Sequence, residues 1–90
     1  MARYLVERTF PQGITLPRPG QPAQACQGFI ENNSLDGVSW LYSYISLETK
    51  TSYCICDAPS PEAIRHAANR NKLPIDRIIE VTVLNPYSFQ

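Results

Sequence analysis

The chain of 90 residues carries eight basic and eight acidic side chains, with 43% hydrophobic and 18% charged residues. That balance excludes the low-hydrophobicity, high-charge regime of disorder, and a chain this short builds one core burying roughly 60–65% of its unfolded surface. No run of like charge exceeds two and no stretch approaches the roughly 20 apolar residues of a membrane span, so neither nucleic acid nor membrane is expected as a partner. A single domain over residues 1–90, soluble and cytoplasmic, is the expectation.

In chain order, Arg3 to Thr9 is a β-rich run closed by Pro11 and Gly13, and is read as the first strand. Ile14 to Pro22 contains Pro17, Pro19, Gly20 and Pro22, which cannot propagate a helix or a central strand, so an extended loop follows. From Pro22 the residues Ala23, Ala25, Cys26, Phe29 and Ile30 fall three and four apart, the spacing of an amphipathic helix, which Asn32, Asn33 and Ser34 end.

After the Asp36-Gly37 turn, Val38 to Leu47 alternates Trp40, Tyr42 and Tyr44 with Leu41, Ser43 and Ile45, predicting a second strand with an aromatic face. Glu48 to Lys50 is a short polar connection. Thr51 to Ala58 resumes the β pattern with Tyr53 and Ile55 opposite Cys54 and Cys56, so strands two and three form a hairpin. Ser60 is a candidate N-cap before Pro61 and Glu62, and Ile64, Ala67 and Ala68 form the apolar stripe of a second helix. Asn71 to Pro74 breaks that helix. Arg77 to Leu84 is the fourth strand, with Ile79, Val81 and Val83 on one face, and the aromatic tail Asn85 to Gln90 is either frayed or docked on a neighbouring chain.

The order β-α-β-β-α-β predicts an α+β, ferredoxin-like fold: a four-stranded antiparallel sheet with both helices on one face. The aromatic residues of strand two leave the other face too apolar to stay wet. Two sheets packed face to face would cover it, with an isologous two-fold interface between two copies as the commonest solution.

Several side chains are candidates for chemistry. Cys54 and Cys56 share a strand face about 6.6–6.8 Å apart, near the limit for an unstrained disulfide, so with Cys26 they are expected as reduced thiols, either soft-metal ligands or small core residues. His66, the one histidine, is a surface residue, a ligand or a general base, and with no matched nucleophile it supports no triad. Ser39, Ser43, Ser46 and Ser52 lack a nucleophile-elbow pattern. Glu7 and Glu80 sit in β patterns on strands that the topology makes neighbours. On a shared face they would form a close acid pair suited to proton transfer or cation binding; otherwise each pairs with Arg3, Arg8 or Arg77. Asp57 to Glu62 reads as a site loop or as ordinary helix capping.

Four segments in order carry a family resemblance: Tyr4-Leu5-Val6-Glu7-Arg8-Thr9-Phe10, Val38-Ser39-Trp40 with Ser43-Tyr44, Tyr53 to Arg65, and Leu73 to Val81. They resemble small bacterial proteins of an uncharacterised-domain family that includes a nickel-binding member. The resemblance implies a ferredoxin-like fold paired into a dimeric α/β barrel and, for the nickel-binding member, metal held by histidine, cysteine and acidic side chains. By position it implicates Cys54, Asp57 and the Glu80 segment. The nickel-binding relatives look histidine-rich in strand one, where this chain has Leu5-Val6-Glu7-Arg8, and imidazole is the ligand that suits nickel.

The sequence therefore predicts a homodimeric binding protein whose inter-sheet cavity, lined by Glu7, Trp40, Tyr44 and Glu80 with Cys54 and Asp57 as metal ligands, accepts a small molecule or a divalent metal such as nickel. No catalytic residue is assigned. The alternative is an oxygenase- or isomerase-like enzyme of the same barrel class that uses a strand carboxylate.

Overall fold

Alternation builds the first strand, β1 (Ala2–Thr9): Tyr4 and Val6 are 6% and 1% exposed, and the intervening residues turn to the opposite face. The computed structural model describes residues 1–16 and 24–88. The remaining elements are α1 (Gln24–Leu35), β2 (Ser39–Ser46), β3 (Thr51–Ala58), α2 (Pro61–Asn71) and β4 (Arg77–Val81). The sheet order is β2-β3-β1-β4 with every pair antiparallel, which is the ferredoxin-like arrangement.

The helix-side core joins Tyr4, Val6, Val38, Cys56 and Ala58 to Ile64 and Ala67 of α2. Ile64 and Val6 are the largest fully buried side chains, each contributing about 1.5–3 kcal/mol by leaving water. The local signals of α2 act as their chemistry dictates. Ser60, in extended backbone, accepts from the Ala63 N–H at 3.2 Å, Pro61 takes the first turn, and Lys72 closes the helix in the left-handed region at φ 57°. The two helices are joined through amides: Asn32 donates to Asn71 at 2.8 Å, and Asn71 donates to Asn33 at 3.0 Å.

Four features depart from the sequence expectation. The first helix does not stop at Asn32–Ser34 but runs to Leu35, because Asp36-Gly37 supplies its end: Gly37 adopts φ 71°, and the N–H groups of Asp36 and Val38 both return to the Asn33 carbonyl. The fourth strand stops at Val81 rather than Leu84. Val81 already pairs with Arg3, and β1 begins one residue before it, so Thr82 to Leu84 have almost no partner strand left. Asn85 and Ser88 instead close a turn that leaves Tyr87 exposed.

The fourth departure alters the site. Pairing of β2 with β3 shifts register between Trp40 and Tyr42, so that Leu41 is a bulge residue. Trp40 therefore looks toward the helices with Cys56, while Tyr42 and Tyr44 look away from them. The loop positions Pro17, Pro19, Gly20 and Pro22, the proposed helix start with Ala23, and the tail's Phe89 and Gln90 lie outside the described residues, as does the side chain of Ala25.

Candidate functional site

Two surfaces carry the side chains of interest. The first is a cavity of about 360 Å³ between the helices and the sheet. Val6, Trp40, Phe29 and Ile64 give it apolar walls, and all three cysteines, Cys26, Cys54 and Cys56, border it. The Trp40 indole N–H is satisfied locally by the Ser43 hydroxyl at 2.9 Å, and the Cys54 thiol leans on Ser52 at 3.8 Å. Burial pushes the Cys56 thiol up to about 11, with Cys54 adding to the shift and Arg8 opposing it. Cys56 is therefore a neutral, packed thiol at physiological pH.

Arg8 enters this cavity from the core-facing side of β1. Its Nη1 donates to the Pro74 carbonyl at 2.8 Å. Its Nε is shielded from solvent and has no hydrogen-bond partner among the described residues. From sequence alone this residue had a role only as an ion-pair partner for Glu7 or Glu80; the available signal was its place two residues beyond Val6, on the buried parity of a strand, where a charge is costly.

The second surface is the sheet face without helices. Tyr42 and Tyr44 meet edge to face, their ring centroids 5.6 Å apart, and are 46% and 64% exposed. By register Leu5, Ile55, Tyr53 and Ile79 share that face, and Ile55 is buried without belonging to the helix-side core. Two cross-strand ion pairs flank the apolar patch. Arg3 grips Asp57 with two hydrogen bonds, of 2.9 and 3.3 Å, and Arg77 donates to Glu7 at 2.9 Å. The hydrogen-bonded guanidinium holds the Asp57 carboxyl below its usual range, and the same pair holds Arg3 above its own.

The residues singled out from the sequence are thus divided between the two surfaces. Glu7, Tyr44 and Asp57 lie on the bare face; Trp40 and Cys54 lie in the helix-side cavity, and Glu80, opposite Tyr4, sits exposed on the helix-side parity of β4. They do not line one inter-sheet cavity. The Glu7–Glu80 acid pair does not form, because β1 residue Glu7 faces Arg77 and Glu80 points to the other side of the sheet. The enzyme alternative, which needs one strand carboxylate, gains no support from this arrangement. Cys54 and Asp57, three apart on β3, point to opposite faces and cannot share one ion. His66 is exposed on α2.

The donor set of a single chain does not fit nickel. Among the described residues no three His, Cys, Asp or Glu side chains gather where they could hold a metal, and Asp57 is already engaged by Arg3. No helix among the described residues is long and apolar enough to cross a membrane.

Fold and surfaces together define a small ferredoxin-like α+β protein with an apolar pocket under its helices and an uncovered aromatic sheet face. The chain belongs to the family described as nickel responsive protein SCO4226-like, whose model matches residues 4–81. It is similar to SCO4226 from Streptomyces coelicolor A3(2), known from a crystal structure, with 25% sequence identity and a TM-score of 0.75 over 93% of this chain and 100% of that one. No curated protein matches it.

Proposed function

We propose that this protein is a non-catalytic homodimer of the nickel-responsive class, in which two bare sheet faces stack and the space between them takes a small ligand or a divalent metal such as nickel. The observation that carries this reading is the apolar centre of the uncovered face, Tyr42, Tyr44, Leu5 and Ile79, bordered by the Arg3–Asp57 and Glu7–Arg77 pairs. Exposed apolar patches rimmed by polar groups are the usual mark of an interaction surface. A two-fold axis through the patch would bring a second set of Glu7 and Asp57 carboxylates to the same space, and a metal bound there takes donors from both copies because one chain gathers too few.

Metal analysis and thermal denaturation of tag-free protein, with and without added nickel, test the ligand. The expected result is nickel bound at no more than one ion per dimer, with a raised melting temperature that Glu7→Gln or Asp57→Asn reduces. A dimer that neither retains nickel nor shifts in melting temperature with it would remove the metal from this reading.

A further inference from the structure

The cavity beneath the helices lies on the other side of the sheet from the proposed dimer face, and it is bordered by Arg8, a cation that forms no ion pair among the described residues. The ion pairs among the described residues use Arg3, Arg70 and Arg77. Arg8 makes none of them. Among the described residues its side chain donates to one partner, the Pro74 carbonyl, and its Nε–H is removed from water with no acceptor. A buried donor on a charged group carries a desolvation penalty that an incoming anionic acceptor removes.

The surroundings define the rest of such a molecule. Most of the wall is apolar, formed by Val6, Phe29, Trp40 and Ile64 and by thiols, which behave as small apolar groups, while Asn33, Ser43, Ser52 and Asn71 add polar groups at its border. A volume of about 360 Å³ lies at the small end of ligand pockets. At about 30 Å³ for each water-sized group, it accommodates on the order of ten heavy atoms. The Asn71 amide donates to Asn33 and the Ser43 hydroxyl accepts from Trp40, so the Arg8 Nε–H is the buried donor without an acceptor among the described residues; a carboxylate asks fewer donors than a phosphate.

We propose that this cavity binds a small organic carboxylate with an apolar body, the carboxylate resting on the Nε edge of Arg8 and the hydrocarbon packed between Trp40 and Phe29. Arg8 supplies orientation and charge selection; the aromatic walls supply the burial of apolar surface. The site lies across the sheet from the proposed dimer face and works in the monomer or the dimer alike.

Trp40, the chain's one tryptophan, borders the cavity and reports on it directly. The test is a fluorescence titration of the full chain with octanoate and, separately, with octan-1-ol, which keeps the tail and lacks the charge. Octanoate is expected to change Trp40 emission saturably, to bind at least tenfold more tightly than octan-1-ol, and to slow alkylation of Cys54. Arg8→Met is expected to bind the two equally, and Arg8→Lys to recover part of the preference. Tyr44→Asp, on the opposite face, is expected to leave the octanoate affinity unchanged, which separates this site from the dimer. The absence of a saturable change with octanoate, equal affinity of the wild-type chain for both compounds, or a preference that survives in Arg8→Met would each overturn the proposal. The wild-type comparison stands even if the Arg8 variants fold poorly.

Discussion

Trp40 and Tyr42 occupy the same strand two residues apart, yet they face opposite sides of the sheet, because Trp40 pairs with Cys56 and Tyr42 pairs with its immediate neighbour Ile55. The bulge at Leu41 thus turns one aromatic to the helix-side cavity and leaves two on the bare face. The two positions should respond differently to truncation. Trp40→Ala removes a partly buried indole and is expected to cost about 2–4 kcal/mol, with a loss that does not depend on protein concentration. Tyr44→Ala removes a ring that is exposed in the single chain, so its loss should grow as concentration rises to the dissociation constant of the proposed dimer. Melting temperatures measured over a hundredfold range of concentration distinguish the two.

The Arg3–Asp57 pair predicts the acid limb of stability. Asp57 is held below its ordinary value of 3.8 by the guanidinium, so the unfolded chain takes up this proton before the folded one does. The contribution of the pair is therefore complete above the ordinary carboxylate range and is lost as the pH falls below it. Denaturation followed from pH 6 to pH 2 should show a shallower acid decline in Asp57→Asn than in the wild type.

Cys56 predicts the alkaline limb with the opposite sign. Its thiol is raised from 9.0 to about 11, so between those values the unfolded chain ionises while the folded chain keeps its proton. Stability should fall as pH rises through that window, and Cys56→Ala should flatten the fall. Alkylation at pH 8 with mass-spectrometric mapping should modify Cys26 and Cys54, both partly exposed, well before Cys56.

Lys72 caps α2 with φ 57°, a conformation that glycine adopts without penalty and a side chain does not. Lys72→Gly is therefore expected to raise stability by up to about 1 kcal/mol. Its N–H, which returns to the Ala68 and Asn69 carbonyls, is retained by glycine. Chemical denaturation of the two proteins at pH 7 is sufficient to read the change.

The framework was legible because each element announces itself locally. Ser60-Pro61-Glu62 states where α2 begins, Pro74 states where its continuation is impossible, and the alternation Tyr53-Cys54-Ile55-Cys56 assigns the two faces of β3 correctly. The candidate site was less legible, because it depends on which face each residue occupies and a single bulge reverses that parity. Nothing local distinguishes Leu41 as the extra residue; it is fixed by pairing with β3 across the hairpin. Glu7 and Glu80 were separated by register alone, since a shift of one residue between β1 and β4 would have put them on one face. Arg8 was readable in principle, as a charge on the buried parity between Val6 and Phe10.

Two copies joined through Tyr42 and Tyr44 are the premise of the proposed function, and sedimentation velocity of tag-free protein at micromolar concentration tests it most directly. One chain weighs 10.1 kDa. The wild type should sediment as a particle of about twice that mass and Tyr44→Asp as a folded single chain, because a carboxylate at the centre of the stacked faces is costly to bury. A wild-type protein that remains a single chain under these conditions would contradict the account.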